Sequence, residues 1–221
     1  MNIDQIIRTR RKTIALIVHR DGTLVVRAPL KASTRQIQEL VEKKAGWIRS
    51  KQELVRTVYP KARPKDYREG EEFLYLGESY RFEIVDGIKP SVLLDGHFYF
   101  DKKRLPDAEM IMTHWYKEQA RQVTTLRADQ YANHWNYQFG KIKITSARTR
   151  WGSCSGKGTL SFTWRLIMAP LAIIDYVVVH ELVHLDHKNH RREFWQQVET
   201  ILPDYKRSIH WLELNGHLLQ L

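Results

Sequence analysis

Hydrophobic residues recur at every second position through much of the first hundred residues. Ile14, Leu16 and Val18 lead to Asp21-Gly22, and Leu24 and Val26 follow, which predicts two half-buried strands joined by a tight turn. Phe73 to Leu76 runs into Gly77-Glu78, after which Tyr80, Phe82 and Ile84 alternate; Asp95-Gly96 separates Val92 to Leu94 from Phe98 to Phe100. One helix interrupts these hairpins near 33–57. Ser33 and Gln36 have the spacing of a capping box, and Ile37, Leu40, Val41 and Ile48 make its apolar stripe. Tyr59 to Gly70, with two prolines and a basic run, reads as a linker or exposed loop.

Beyond residue 105 the period changes. Pro106 opens a long helix through Ile111, Trp115, Val123 and Leu126, ended by Gly140. Ile142 and Ile144 form a short strand, Ser155 to Gly158 a turn, and Leu160 and Phe162 a second strand. Pro170 then starts another helix. Phe194, Val198, Ile201 and Leu202 mark a further one up to Pro203, and Ile209, Leu212 and Leu214 a last one. The pattern predicts an α+β chain with a β-rich region over 1–104 and a second domain over 105–221.

The helix after Pro170 carries the chemistry. Ile173, Ile174, Val177, Val178, Val179, Leu182, Val183 and Leu185 make it apolar on most sides, as a core helix is. Set into it is His180-Glu181-Leu182-Val183-His184, with His190 following; at this composition H-E-x-x-H arises by chance only about 0.03 times. Residues four apart share a helical face, so His180 and His184 can aim ring nitrogens at one metal ion. Glu181, one step round, can reach a metal-bound water without ligating the metal. Buried histidines and a glutamate need partners, and a metal supplies one.

His187 and His190 compete for the third ligand position. His187 points along the same wall as His184, so His190 is preferred, with Asn189 expected to adopt the left-handed conformation that ends the helix and turns the chain back. The spacing from His184 to His190 equals that of metzincins. Yet His187 stands where those need Gly, and no Met follows Met168 to form their Met-turn, which excludes that family.

Arg150-Trp151-Gly152-Ser153-Cys154, Trp164-Arg165-Leu166, the run from Asp175 to His184, and Asn189-His190 followed by Glu193-Phe194-Trp195 together resemble the YgjP-like metal-dependent hydrolases, relatives of the SprT-like zinc metallopeptidases. The resemblance is specific over 141–215 and looser before it. It implies Zn2+ on His180, His184 and His190, with Glu181 as general base. It also implies a zincin-like catalytic domain, which the order of long helix, small sheet and H-E-x-x-H helix suits.

Composition narrows the remainder. The lone Cys154 cannot form an internal disulfide, and with a metal site already providing a nucleophile it reads as a packed residue. The N-terminus, with Arg8, Arg10, Arg11 and Lys12, lacks the apolar core of a signal peptide. The apolar stretch Leu166 to Val179 is shorter than the roughly 20 residues of a membrane span. A cytoplasmic protein without membrane contact is expected. A formal charge of +11 attracts polyanions, and Arg148-Thr149-Arg150-Trp151 interleaves cation and aromatic as a base-stacking surface does.

Three functions follow in order. The first is a zinc metallopeptidase acting on peptide or protein; the second is a metal-dependent nucleotide pyrophosphohydrolase; the third is a nucleic-acid-binding module with a structural metal. Phosphoanhydride hydrolysis usually employs Mg2+ held by carboxylates, and a structural metal leaves Glu181 without purpose. Arg150, Arg165 and Tyr176 are candidates for stabilising an oxyanion, and Asp186 or Asp204 for orienting a ligand histidine.

Overall fold

Leu24–Pro29 forms strand β3, buried along most of its length because it is the middle strand of its sheet. It is flanked by β1 (Gln5–Thr9), which pairs parallel, and β2 (Ala15–Val18), which pairs antiparallel. The computed structural model describes residues 3–18, 22–58 and 64–221, so Asp21 of the first expected turn and 59–63 of the basic segment lie outside the described residues. Packing divides the chain into two units, Met1–Ala62 and Arg63–Leu221.

Strand β1 was not legible, since Gln5-Ile6-Ile7-Arg8-Thr9 is mostly exposed and shows no alternation. Backbone pairing holds it, assisted by the Asp4 carboxylate, which accepts the Leu24 N–H at 2.6 Å. The single helix expected near 33–57 is two: α1 (Thr34–Lys43) and α2 (Ala45–Val58). Lys44 leaves helical geometry at φ −101° and ψ 11°, just before Gly46, a poor helix former. The capping box at Ser33 and Gln36 is present in both directions. Ile37, Val41 and Ile48 close a core over Leu24, Val26 and Ala28.

In the second unit β4 (Glu72–Tyr75), β5 (Glu78–Val85), β6 (Val92–Asp95) and β7 (His97–Asp101) form a sheet in the order β4-β5-β7-β6, with β5 and β7 parallel. Its inward Phe73, Phe82, Phe98 and Phe100 share one core with Met112 and Tyr116 of the long helix α3 (Ala108–Trp135). The boundary read at 104/105 therefore does not divide the packing: a sheet must bury one face, and α3 helps to cover this one. Of the expected linker or exposed loop, Pro64, Asp66 and Arg68 to Gly70 are exposed, while Tyr67 ties the segment to the same cluster, its ring 5.6 Å from Phe73 and 6.2 Å from Phe82.

Helix α3 also departs from its expected limits. Pro106 sits in a preceding 3-10 turn, Lys102–Asp107, and the helix ends at Asn136 in the left-handed conformation (φ 57°) rather than at Gly140. Its buried face is Ala108, Met112, Tyr116, Ala120, Thr124, Ala128 and Ala132, whereas Leu126 is 57% exposed. Small residues mark the inward face because they let neighbouring elements approach closely. Arg127 from α3 makes a bidentate pair with Asp175, which is 8% exposed, on α4 (Leu171–Val183).

Strands β8 (Ile142–Thr145), β9 (Gly152–Cys154) and β10 (Leu160–Thr163) make a small sheet in the order β8-β10-β9, leaving β9 at the edge. The β4–β5 turn is built on Leu76 and Gly77, both with positive φ (50° and 90°), and its N–H groups donate to the carbonyls of Ile167 and Met168 at 2.9 and 3.1 Å. A Cβ on Gly77 would lie 2.9 Å from the Pro170 Cα, so the hairpin tip is fitted to the entry of α4. Helices α5 (Arg192–Ile201) and α6 (Tyr205–Asn215) complete the unit. Among the described residues no helix is long and apolar enough to cross a membrane.

Candidate metal centre

Helix α4 is buried along most of its length, and its last turn carries His180 and Glu181; His184 is its C-terminal cap. The chain then tightens through i to i−3 bonds (Leu185 N–H to Leu182, Asp186 N–H to Val183, 2.9 and 3.2 Å), which draws the following loop back over the helix end. Lys188 binds the exposed carbonyls of His184 and Leu185 at 2.8 and 2.7 Å. Asn189 is not left-handed, contrary to expectation; its side-chain Oδ1 accepts the Arg191 N–H at 3.2 Å and so shapes the entry to α5. Side-chain satisfaction at the start of α5 replaces a left-handed stop at the end of α4.

These turns place three rings together. His190 Nε2 lies 3.1 Å from His184 Nε2 and 3.0 Å from His180 Nε2, and one ligand atom of each residue falls within 4.8 Å of the others. His184 Nδ1 is 2.9 Å from the His187 carbonyl oxygen, which can only accept, so the ring proton sits on Nδ1 and Nε2 presents a lone pair. Such convergence is close to the roughly 3.3 Å edge of a tetrahedron with Zn–N bonds of about 2.0 Å. Three nitrogens this near one another are not satisfied by ring N–H groups alone, since the one on His184 is already committed. The donor set fits a borderline cation such as zinc.

Phe194, fully buried at the start of α5, packs under all three rings with centroid distances of 4.8, 4.6 and 4.8 Å to His180, His184 and His190. Trp195 stacks on His190 at 5.7 Å and on Tyr205 at 5.4 Å. This aromatic floor fixes ring orientation, yet periodicity showed Phe194 only as a core residue. The carbonyl of His187 has no sequence signal, being main chain. Neither acidic candidate orients a ring: Asp204 is paired with Arg207 at 3.6 Å on the surface, and Asp186 is exposed. Arg165 lies over the Trp164 ring at 4.3 Å and donates to the Ser146 carbonyl at 3.1 Å. Tyr176 packs edge-on against His180 at 5.8 Å.

Burial sets the protonation states. His180 is pushed down to about 3 by desolvation and by its neighbours His184 and His190, so its ring stays neutral and able to ligate well below neutrality. Desolvation pushes the Glu181 carboxyl up to about 7, against the opposing pull of the Arg150 charge and the Cys154 N–H. Its Oε2 is buried without a partner. Tyr176 is raised to about 12, again mainly by burial, and keeps its proton.

A raised carboxyl pKa means that the folded chain holds a proton between pH 4.5 and about 7 that the unfolded chain has released. Stability from this source is present below pH 4.5 and lost as pH rises through 7. Metal-free Glu181→Gln is therefore expected to exceed metal-free wild type by up to about 3 kcal/mol at pH 8, with the gap closing by pH 4. Urea unfolding at the two pH values measures it; His180 titrates in both proteins and cancels. A gap independent of pH would remove the assignment of a desolvated carboxylate.

Residues 12–215 match the YgjP-like metallopeptidase domain family. Among solved structures, the chain is similar to the metallopeptidase zymogen of Pyrococcus abyssi abylysin, with 21% identity and a TM-score of 0.38 over 42% of this chain and 95% of that one. No curated protein matches the chain.

Proposed function

The chain belongs to the YgjP-like metallopeptidase family, and from that membership we propose that it is a zinc-dependent peptidase of zincin-like architecture, with His180, His184 and His190 holding the metal and Glu181 acting as general base. The observation that carries this reading is the convergence of three histidine Nε2 atoms beside a buried carboxylate with one unpartnered oxygen. Zinc at such a set of ligands lowers the pKa of a water toward neutrality and polarises a carbonyl.

The chain's own groups supply the rest. The His187 carbonyl and the Phe194 floor hold the rings in place. Glu181, with a pKa of about 7, accepts a proton from the attacking water and returns it to the departing amine. Tyr176, which keeps its proton, and Arg150, whose charge reaches Glu181, are the groups for the developing oxyanion. Arg165 is engaged by Trp164 and Ser146 and is set aside.

Among the described residues this is the only group of three or more potential ligands, and all three are imidazoles. That favours zinc and a peptide substrate over phosphoanhydride hydrolysis, which relies on oxygen-ligated Mg2+. The expected result is metal-dependent cleavage of an unfolded protein such as reduced casein, abolished by 1,10-phenanthroline and restored by zinc, with no release of phosphate or pyrophosphate from nucleoside triphosphates. Hydrolysis of the nucleotide and not the protein would overturn the peptidase reading.

A further inference from the structure

Beside Glu181 the edge strand β9 carries a residue without a side chain. A Cβ built on Gly152 would stand 2.5 Å from Glu181 Oε1, 2.7 Å from its Cγ and 2.9 Å from its Cδ. Real Cβ atoms do not approach this closely, so the space occupied by the carboxylate is the space that any other residue at 152 would fill. The backbone does not demand glycine here, since Gly152 is not among the residues with positive φ. What demands it is the neighbour.

Two residues on, the Cys154 N–H bonds to the same carboxylate. Gly152 and Cys154 are i and i+2 on one edge strand, so their main-chain N–H groups point to the same side of it. Pairing with β10 aligns Leu160 with Cys154 and Phe162 with Gly152, which fixes the register of the strand against α4. The carboxylate cannot drift away from β9 freely, because Glu181 is 5% exposed and its helix is anchored at its N-terminal end by the Gly77–Pro170 contact and further along by the Arg127–Asp175 pair.

We propose that β9 is the seat of the general base, with Gly152 as its positioning residue: the missing side chain makes room for the Glu181 carboxylate, and the Cys154 N–H sets its direction. The proposal rests on the reading of Glu181 as general base. Gly152 touches neither metal nor substrate in this role; it acts through Glu181.

Gly152→Ala tests it. The full-length variant is expected to retain one zinc per chain while kcat falls roughly 100-fold, since a displacement of about 1 Å at a reacting group has that effect, and KM is unchanged. A readout independent of turnover is the melting temperature of the metal-free protein. Gly152→Ala should lower Tm by roughly 5 °C in the wild-type background through overpacking, and by much less in a Glu181→Ala background, where the colliding atoms are gone. An equal Tm loss in both backgrounds would overturn the seat. Full kcat in Gly152→Ala beside an inactive Glu181→Gln would overturn the positioning role alone; full kcat in both would instead remove the general base. Should Gly152→Ala fail to fold on its own, the double variant with Glu181→Ala folding normally supports the proposal, and its failure as well counts against it.

Discussion

Glu181→Gln is expected to lose about 10²- to 10⁴-fold in kcat while keeping a full equivalent of zinc. The amide has nearly the shape of the carboxylate, so the space left by Gly152 and the hydrogen bond from the Cys154 N–H are both preserved. What disappears is the basic lone pair: a neutral amide cannot take a proton from water. KM should change little, because the loss falls on the chemical step. Steady-state cleavage of a quenched peptide, alongside elemental analysis of the same preparation, separates the two effects. Wild-type turnover in this variant would exclude Glu181 as the base.

His180→Ala is expected to remove both metal and activity. His180 is held by Tyr176 at 5.8 Å and Phe194 at 4.8 Å, and burial keeps it neutral. Its loss leaves His184 and exposed His190, two ligands where a tetrahedral site with an open position requires three. Zinc at about 1,000 times its Kd should stabilise the wild-type protein by about 4 kcal/mol, so wild type should show a zinc-dependent rise in Tm that the variant lacks. A full equivalent of zinc in His180→Ala would mean that the metal sits elsewhere.

Legibility followed distance along the chain. His180, Glu181 and His184 lie within one turn of helix, so their shared face follows from helical geometry. The capping box of α1 and the hairpins of the second unit were legible for the same reason: each is decided within a few residues. Elements held by distant partners were not. Strand β1 shows no alternation because backbone pairing with β3 and the Asp4 carboxylate keep it, rather than a buried side-chain face. The buried face of α3 is hidden in the sequence since Ala120, Ala128 and Ala132 carry almost no hydrophobic signal, while the conspicuous Leu126 faces solvent.

Side-chain chemistry and local spacing were thus determined by the chain itself: which residues can ligate, which can accept a proton, and that two histidines share a helical face. Tertiary structure decided how these groups are held. The loop from His184 to His190 is closed by Lys188 and Asn189 without a left-handed stop, a main-chain carbonyl orients His184, and Phe194 from the next helix supports all three rings. Gly152 matters only because β9 packs against α4. Periodicity reports which way a side chain points. What it meets there depends on elements folded back from elsewhere in the chain, and so do the low dielectric that holds His180 neutral and the raised pKa of Glu181.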